Sequence, residues 1–247
     1  MKADTPLVSR LVPSPNQNGR RGVAGPDILL LHYTGMRSGE AALARLTDPA
    51  SEVSSHYVVE EDGEILQLVP EAQRAWHAGR GSWQGHTDIN SRSIGIEIVN
   101  PGHEHGYRPF PQRQIEAVIE LCRDCGERWK IAPHLVLAHS DIAPDRKEDP
   151  GELFPWDQLF QAGVGVWCTT NIKENEVLLC EGDRGAEVEA YQSHLVAYGY
   201  GLRIDGIFGD ETRFVTAAFQ RHFRPRQVNG RADRETVEIL RTLVQLV

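Results

Sequence analysis

No apolar run in the 247-residue sequence approaches the roughly 20 residues that span a bilayer, and the longest, Ile28-Leu29-Leu30-Leu31, has the length of a buried strand. Membrane insertion is therefore excluded as an expectation. The opening stretch, MKADTPLVSRLVPSPNQNGRRG, lacks the apolar core of a signal peptide. Cytoplasmic residence follows, or the periplasm if an export signal has been removed. Positive charge is also scarce, with 26 Lys and Arg against 35 Asp and Glu for a formal net charge of −9. Proteins that grip a phosphate backbone do so with clustered cations that release counterions, so a nucleic-acid partner is excluded. The sequence has only four cysteines. Cys122 and Cys125 fall inside QRQIEAVIELCRDCGERWKI, where Ile115, Val118, Ile119, Cys122 and Trp129 recur at helical spacing. A redox Cys-x-x-Cys opens a helix after a strand, so this pair reads as core packing. Cys168 and Cys180 flank a weakly patterned stretch and could pair in an oxidising compartment.

The first part of the chain alternates short apolar runs with amphipathic segments. DILLLHY, GEAALARL, SHYVV, EILQLV and SIGIEIV are followed by a long helical pattern from about Pro111 to Lys130, then HLVLAHS and PWDQLFQAGVGVW. Strands interleaved with helices predict an α/β domain with a mixed β-sheet flanked by helices, over residues 1–168. Periodicity fades through TTNIKENE, and residues 169–184 read as a linker. Residues 185–247 then carry three helical patterns, a small all-α module. Two phrases in it share one register: DGIFGDET at 205–212 and NGRADRET at 229–236. Each reads as a glycine turn, an N-cap candidate (Asp210, Asp233) and a helix. With Tyr191-Gln192, Leu195, Gly199-Tyr200 and Phe219-Gln220, the first phrase resembles the three-helix peptidoglycan-binding domain. That resemblance implies binding of wall glycopeptide without catalysis.

Ionisable chemistry concentrates in the first domain, above all in AHSDIAPDRKEDPG at 138–151. His32 ends the strand ILLLHY and His139 ends HLVLAH, so two histidines could share one sheet rim. Taken alone, each is as well read as a satisfied rim histidine. If His139 terminates its strand, the chain through Pro144 and Pro150 must form a rigid loop able to return Asp149 to the same place. Two imidazole nitrogens and one carboxylate, with a fourth position left to water, are the pattern of a catalytic zinc site. Glu97, between Ile96 and Ile98 in SIGIEIV, is either a base at that site or a strand glutamate paired with a surface cation. Lys147 could place an ammonium beside the cation, although Arg146-Lys147-Glu148 alone would read as a solvated charge run. His103-Glu104-His105 reads as a solvated turn without a third ligand.

Leu31-His32-Tyr33-Thr34, Ser55-His56-Tyr57, Arg74-Ala75-Trp76-His77-Ala78-Gly79, Asn90, Ser93 to Glu97, and Ala138 to Gly151 together resemble the zinc-dependent N-acetylmuramoyl-L-alanine amidases of type 2. The resemblance runs from about residue 8 to 165 and implies the fold shared with peptidoglycan-recognition proteins. It implies one zinc per chain held by His32, His139 and Asp149, with Glu97 as general base and Lys147 stabilising the tetrahedral intermediate. His77 and Trp76 would line the substrate groove. The implied reaction is hydrolysis of the amide between N-acetylmuramic acid, or its 1,6-anhydro form, and the stem peptide's L-alanine. Its substrate would be a muropeptide or peptidoglycan fragment, most naturally in wall recycling. The competing expectations are an envelope amidase acting on intact wall and a recognition protein that only binds.

Overall fold

The computed structural model describes residues 1–172 and 176–246, so Lys173 to Asn175 of the unpatterned TTNIKENE stretch lie outside the described residues. In chain order the strands are β1 (Arg10–Leu11), β2 (Gln17–Gly19), β3 (Ile28–Tyr33), β4 (Tyr57–Val59), β5 (Ile65–Gln67), β6 (Gln73–Ala75), β7 (Ser93–Ile98), β8 (Val136–Ala138), β9 (Val177–Leu179) and β10 (Ala232–Asp233). The helices are α1 (Gly39–Thr47), α2 (Ile89–Arg92), α3 (Gly102–His105), α4 (Gln112–Trp129), α5 (His139–Ile142), α6 (Trp156–Gln161), α7 (Ala186–Tyr198), α8 (Asp210–Phe223) and α9 (Arg234–Val244).

The main sheet runs β1-β5-β4-β7-β3-β8. It is mixed, because β5 is antiparallel to β4 while β3, β7 and β8 run parallel. Alternation along β3 sorts its side chains. Leu29 and Leu31 pack with Ile115, Val118, Leu121 and Cys122 of α4, whereas Ile28 and Leu30 pack on the other face with Ala78, Trp83 and Ile89. His32 follows Leu30 at the same parity, so it stands on the face away from α4. Its parallel partner on β7 is Glu97, which sets the two side chains next to each other on one face. Both Cys122 and Cys125 are buried, and all four cysteines are free.

The helical module is α7, α8 and α9 together with a two-stranded antiparallel ribbon of β9 and β10. Residues 177–179, expected within the linker, therefore fold with the module, because β10 lies in its second repeat. The two in-register phrases are held by equivalent glutamines. Gln192 Oε1 accepts from the amides of Asp205 (3.0 Å) and Gly206 (2.9 Å), and its Nε2 donates to Thr212 Oγ1 at 2.9 Å. Gln220 accepts likewise from Asn229 and Gly230, both at 2.9 Å, and donates to Thr236 Oγ1 at 3.2 Å. Gly206 and Gly230 stand at φ +68° and +67°, the left-handed region where a side chain is strained. Asp233 caps α9 by accepting from Thr236 N. Asp210 does not cap α8: the shared register puts Gly209 in the place of Asp233, and the helix begins at Asp210 itself.

The module is not a loose appendage. One continuous core contains Ile28, Leu30, Trp83 and Ile142 together with Tyr198, Tyr200, Phe219 and Phe223. Gln192→Ala should strip the buried Gly206 amide, and the Asp205 amide beside it, of their acceptor and lower stability by about 1–3 kcal/mol, read as a shift of the urea unfolding midpoint.

Candidate metal centre and active site

β3 and β8 are parallel neighbours; His32 is the penultimate residue of β3 and His139 follows β8 as the first residue of α5, so both stand at the same end of the paired strands. Beyond β8 the chain makes one turn of helix, α5, and not the uninterrupted loop expected from its prolines. Ser140 N then donates to Asp149 O at 3.1 Å, closing the segment on itself so that Asp149 returns beside His139. His32 Nδ1 lies 2.8 Å from His139 Nδ1 and 3.1 Å from Asp149 Oδ2, and His139 Nδ1 lies 2.9 Å from the same oxygen. The three side chains are 1%, 3% and 5% exposed respectively. Among the described residues they form the one group with metal-ligand geometry.

The donor set tests whether a zinc ion fits. His139 Nε2 faces Ala78 O at 3.0 Å, and a carbonyl only accepts, so Nε2 carries the proton and Nδ1 presents a lone pair. For His32 the same result comes through a relay. Ser93 Oγ donates to Ile89 O at 2.7 Å, leaving its oxygen to accept from His77 Nε2 at 3.3 Å. His77 Nδ1 is thereby a lone pair, 3.0 Å from His32 Nε2, which must donate to it. His32 Nδ1 is again an acceptor. Two lone pairs and a carboxylate oxygen crowded together repel one another unless a cation lies between them. Tetrahedral zinc ligation at ~2.0–2.1 Å separates its donor atoms by roughly 3.3 Å, within about half an ångström of the 2.8–3.1 Å seen. The arrangement fits zinc.

Burial is the main cause of the shifts here. It pushes His32 down to about 4, with His139 adding to the effect, and holds His77 well below the ordinary imidazole range. Burial opposes ionisation of Asp149, yet His139 and His32 together outweigh it and keep the carboxyl well below the usual carboxylate range. Glu97 goes the other way. Its carboxyl is raised well above the ordinary value by burial, then by the charge of Asp149, with Lys147 offsetting part of this. Its Oε2 is buried with no hydrogen-bond partner among the described residues. The surface-paired alternative for Glu97 is thus not what the fold builds.

Glu97 and Lys147 line a cavity of about 180 Å³ with the three ligands, and Trp76 and His77 form part of its wall. It continues past Thr34, Arg45 and Lys147 into a groove of about 670 Å³ that Arg37, His103 and Arg146 also border. Trp76 is half-buried, with Nε1 donating to Asn18 Oδ1 at 3.3 Å. His77 touches the cavity but is committed at both ring nitrogens, so it orients His32. A Cβ on Gly95 would lie 2.5 Å from the His77 ring, and the glycine is what lets that ring lie against β7.

Several participants escaped sequence reasoning. Asn90 Oδ1 accepts from His77 N (2.9 Å) and Ala78 N (2.8 Å) and so shapes the segment that faces both histidines. Arg146, read as a solvated charge, donates to Ala78 O and Arg80 O, tying the ligand loop to that segment. Asn90 stood in the quoted motif without a role; nothing in local spacing distinguished Arg146 from its charged neighbours. His103, Glu104 and His105 are exposed, as a solvated segment should be, but they form a turn of helix, α3, in which His103 stacks on Tyr107 at 4.3 Å and pairs with Glu152 at 3.2 Å.

His77→Ala should weaken zinc binding by roughly 10–100-fold, the usual effect of losing a ligand's orienting partner, measurable by competition with a chromogenic chelator. A second expectation concerns His56, whose Nδ1 accepts from Gly95 N at 2.9 Å. Burial, aided by the charge of Arg20, holds this imidazole down to about 3, against an ordinary value of 6.5. Between those values the unfolded chain takes up a proton that the folded chain refuses, so stability falls as pH drops through this window. The slope contributed approaches about 1.4 kcal/mol per pH unit. Urea titrations between pH 7 and 5 should show it, and His56→Asn, which keeps an acceptor for Gly95, should flatten it.

Comparison with known proteins agrees with this geometry. Residues 22–152 match the N-acetylmuramoyl-L-alanine amidase family, and residues 184–240 match the peptidoglycan binding domain family. The N-acetylmuramoyl-L-alanine amidase AmiD of Escherichia coli is 42% identical over 231 residues, covering 88% of this chain and 82% of its own. The solved structure of AmiD from E. coli in complex with the substrate anhydro-N-acetylmuramic acid-L-Ala-D-γ-Glu-L-Lys superposes with a TM-score of 0.77 at 36% identity, covering 100% of this chain and 93% of that one. The 1,6-anhydro-N-acetylmuramyl-L-alanine amidase AmpD of E. coli is 36% identical over 165 residues, 60% of this chain and 88% of its own. With the fold, the site and the full-length relative in agreement, the chain belongs to the N-acetylmuramoyl-L-alanine amidase family and carries a C-terminal peptidoglycan-binding domain.

Proposed function

We propose that this enzyme hydrolyses the amide joining the lactyl group of N-acetylmuramic acid, or its 1,6-anhydro form, to L-alanine of the stem peptide, in wall recycling. The observation that carries the reading is the convergence of His32, His139 and Asp149 beside Glu97 and Lys147 in one recessed cavity. One zinc per chain would be held by the two Nδ1 atoms and Asp149. When bound it supplies Lewis-acid polarisation of the scissile carbonyl and acidifies water.

The chain's own residues do the rest. Glu97, kept basic enough by its recessed position, takes the proton of the attacking water and returns it to the departing alanine nitrogen. The Lys147 ammonium offsets negative charge on the former carbonyl oxygen. His77 and the Ala78 carbonyl hold the ligand imidazoles with their lone pairs inward. Trp76 gives the cavity an apolar wall for the sugar. The groove beyond is bordered by Arg37, Arg45 and Arg146 and also by Glu104 and Glu148, a mixed-charge lining able to meet both the carboxylates and the amino groups of a stem peptide.

For the compartment we infer the cytoplasm, supported by four unpaired thiols, since oxidising compartments favour disulfides. The peptidoglycan-binding domain favours the envelope as the second reading; fractionating cells for the native protein decides between them. Glu97→Ala should cut turnover of a soluble anhydro-muropeptide by about 10²–10⁴ with zinc still bound, whereas Asp149→Ala should lose the metal. Zinc assay and mass analysis of released peptide check both. Tight muropeptide binding by wild type without zinc or hydrolysis would instead support a recognition protein.

A further inference from the structure

The segment that carries His139 and Asp149 is gripped from outside its own domain. Asp141, two residues past His139 and buried, accepts from Ala138 N at 2.8 Å, which pins the turn from β8 into α5. Its remaining contacts come from the helical module: Tyr200 OH donates to Oδ1 at 2.6 Å, and His222 Nδ1 lies 2.7 Å from Oδ2. His222 is itself fixed by stacking on Trp156 at 3.8 Å. At the other end of the segment, Arg221 pairs with Glu148 at 2.5 Å, next to Asp149. Consecutive residues of α8 thus reach both ends of the ligand loop.

We propose that the helical module is a working part of the metal centre: Tyr200 and His222 position His139 through Asp141, and Arg221 positions Asp149 through Glu148. The module then controls how firmly the cation is held, separately from any contact it makes with the wall. A carboxylate with fewer donors would let the β8–α5 turn relax, and a ligand atom displaced by a fraction of an ångström no longer meets its two partners. Removing such orienting contacts typically costs 10–100-fold in metal affinity. These are positioning residues, since none lines the cavity that holds the three ligands.

The inference rests on the zinc reading above, and full-length protein tests it. Tyr200→Phe keeps the ring and loses only the hydroxyl. Arg221→Gln breaks the bridge to Glu148 while keeping most of the side chain's length, and Arg221→Lys keeps the charge. Zinc release into a chromogenic chelator should be roughly 10-fold faster or more in Tyr200→Phe and Arg221→Gln and near wild type in Arg221→Lys. Amide exchange over residues 138–149 of the metal-free protein should rise in the first two. On a soluble anhydro-muropeptide, kcat should fall with KM unchanged. Leu240→Val, in the module's core on α9, a helix that carries none of the three positioning residues, separates positioning from stability: it should lower the urea midpoint and leave zinc release unchanged. Should Tyr200→Phe fail to fold, Arg221→Gln against Arg221→Lys carries the test. Zinc release within twofold of wild type in folded Arg221→Gln, or equally fast release from Leu240→Val, overturns the inference. A wild type that holds no zinc overturns the metal reading as well, so the two failures are told apart.

Discussion

Two imidazole lone pairs and a carboxylate oxygen held within about 3 Å of one another form an arrangement that water and thermal motion would disperse unless the chain imposed it. Nearly every other feature of the first domain serves that constraint. Parallel pairing of β3 with β8 delivers the two histidines to one end of the paired strands. The Ser140–Asp149 backbone bond returns the carboxylate. Carbonyl oxygens at Ala78 and, through Ser93 and His77, at Ile89 decide which nitrogen of each ring is free. The tautomers are therefore consequences of backbone acceptors, which cannot change protonation.

The same constraint explains the asymmetry between the two carboxylates at the site. Asp149 is surrounded by imidazoles that favour its charge, while Glu97 is buried with an unpartnered oxygen and a neighbouring anion. One is held in its charged form and the other is made a better proton acceptor, by surroundings and not by residue type. Strand register is what separates them, since Glu97 is the parallel partner of His32 and faces the same cavity without reaching the other two ligands' contact point.

The helical module meets the amidase domain through a continuous apolar core and a backbone bond from Gln84 N to Gly199 O, and the side chains of Tyr200, Arg221 and His222 bond Asp141 and Glu148, inside the segment from His139 to Asp149. The interface is thus built around the catalytic loop. A module whose sequence reads as wall-binding shares its folding energy with the domain that does the chemistry.

Much of this was legible in the chain. Residue types and the resemblance carried by the quoted motifs pointed to His32, His139 and Asp149, which the fold brings together, alternation put Glu97 and His32 on strands, and the 24-residue offset between the two phrases announced the duplicated module. Local information also misled where spacing alone was used: it put a cap at Asp210 that the shared register assigns to Gly209, gave residues 177–179 to a linker, and left Arg146 among solvated charges. Sequence by itself determined which groups are available and which strands carry them, because periodicity and residue chemistry are properties of neighbours along the chain. Only the tertiary structure decided which ring nitrogen faces inward, that His77 orients His32, and that Tyr200, Arg221 and His222 reach the ligand loop. Those contacts join residues 45 to 81 positions apart, and no local pattern encodes a hydrogen bond across that distance.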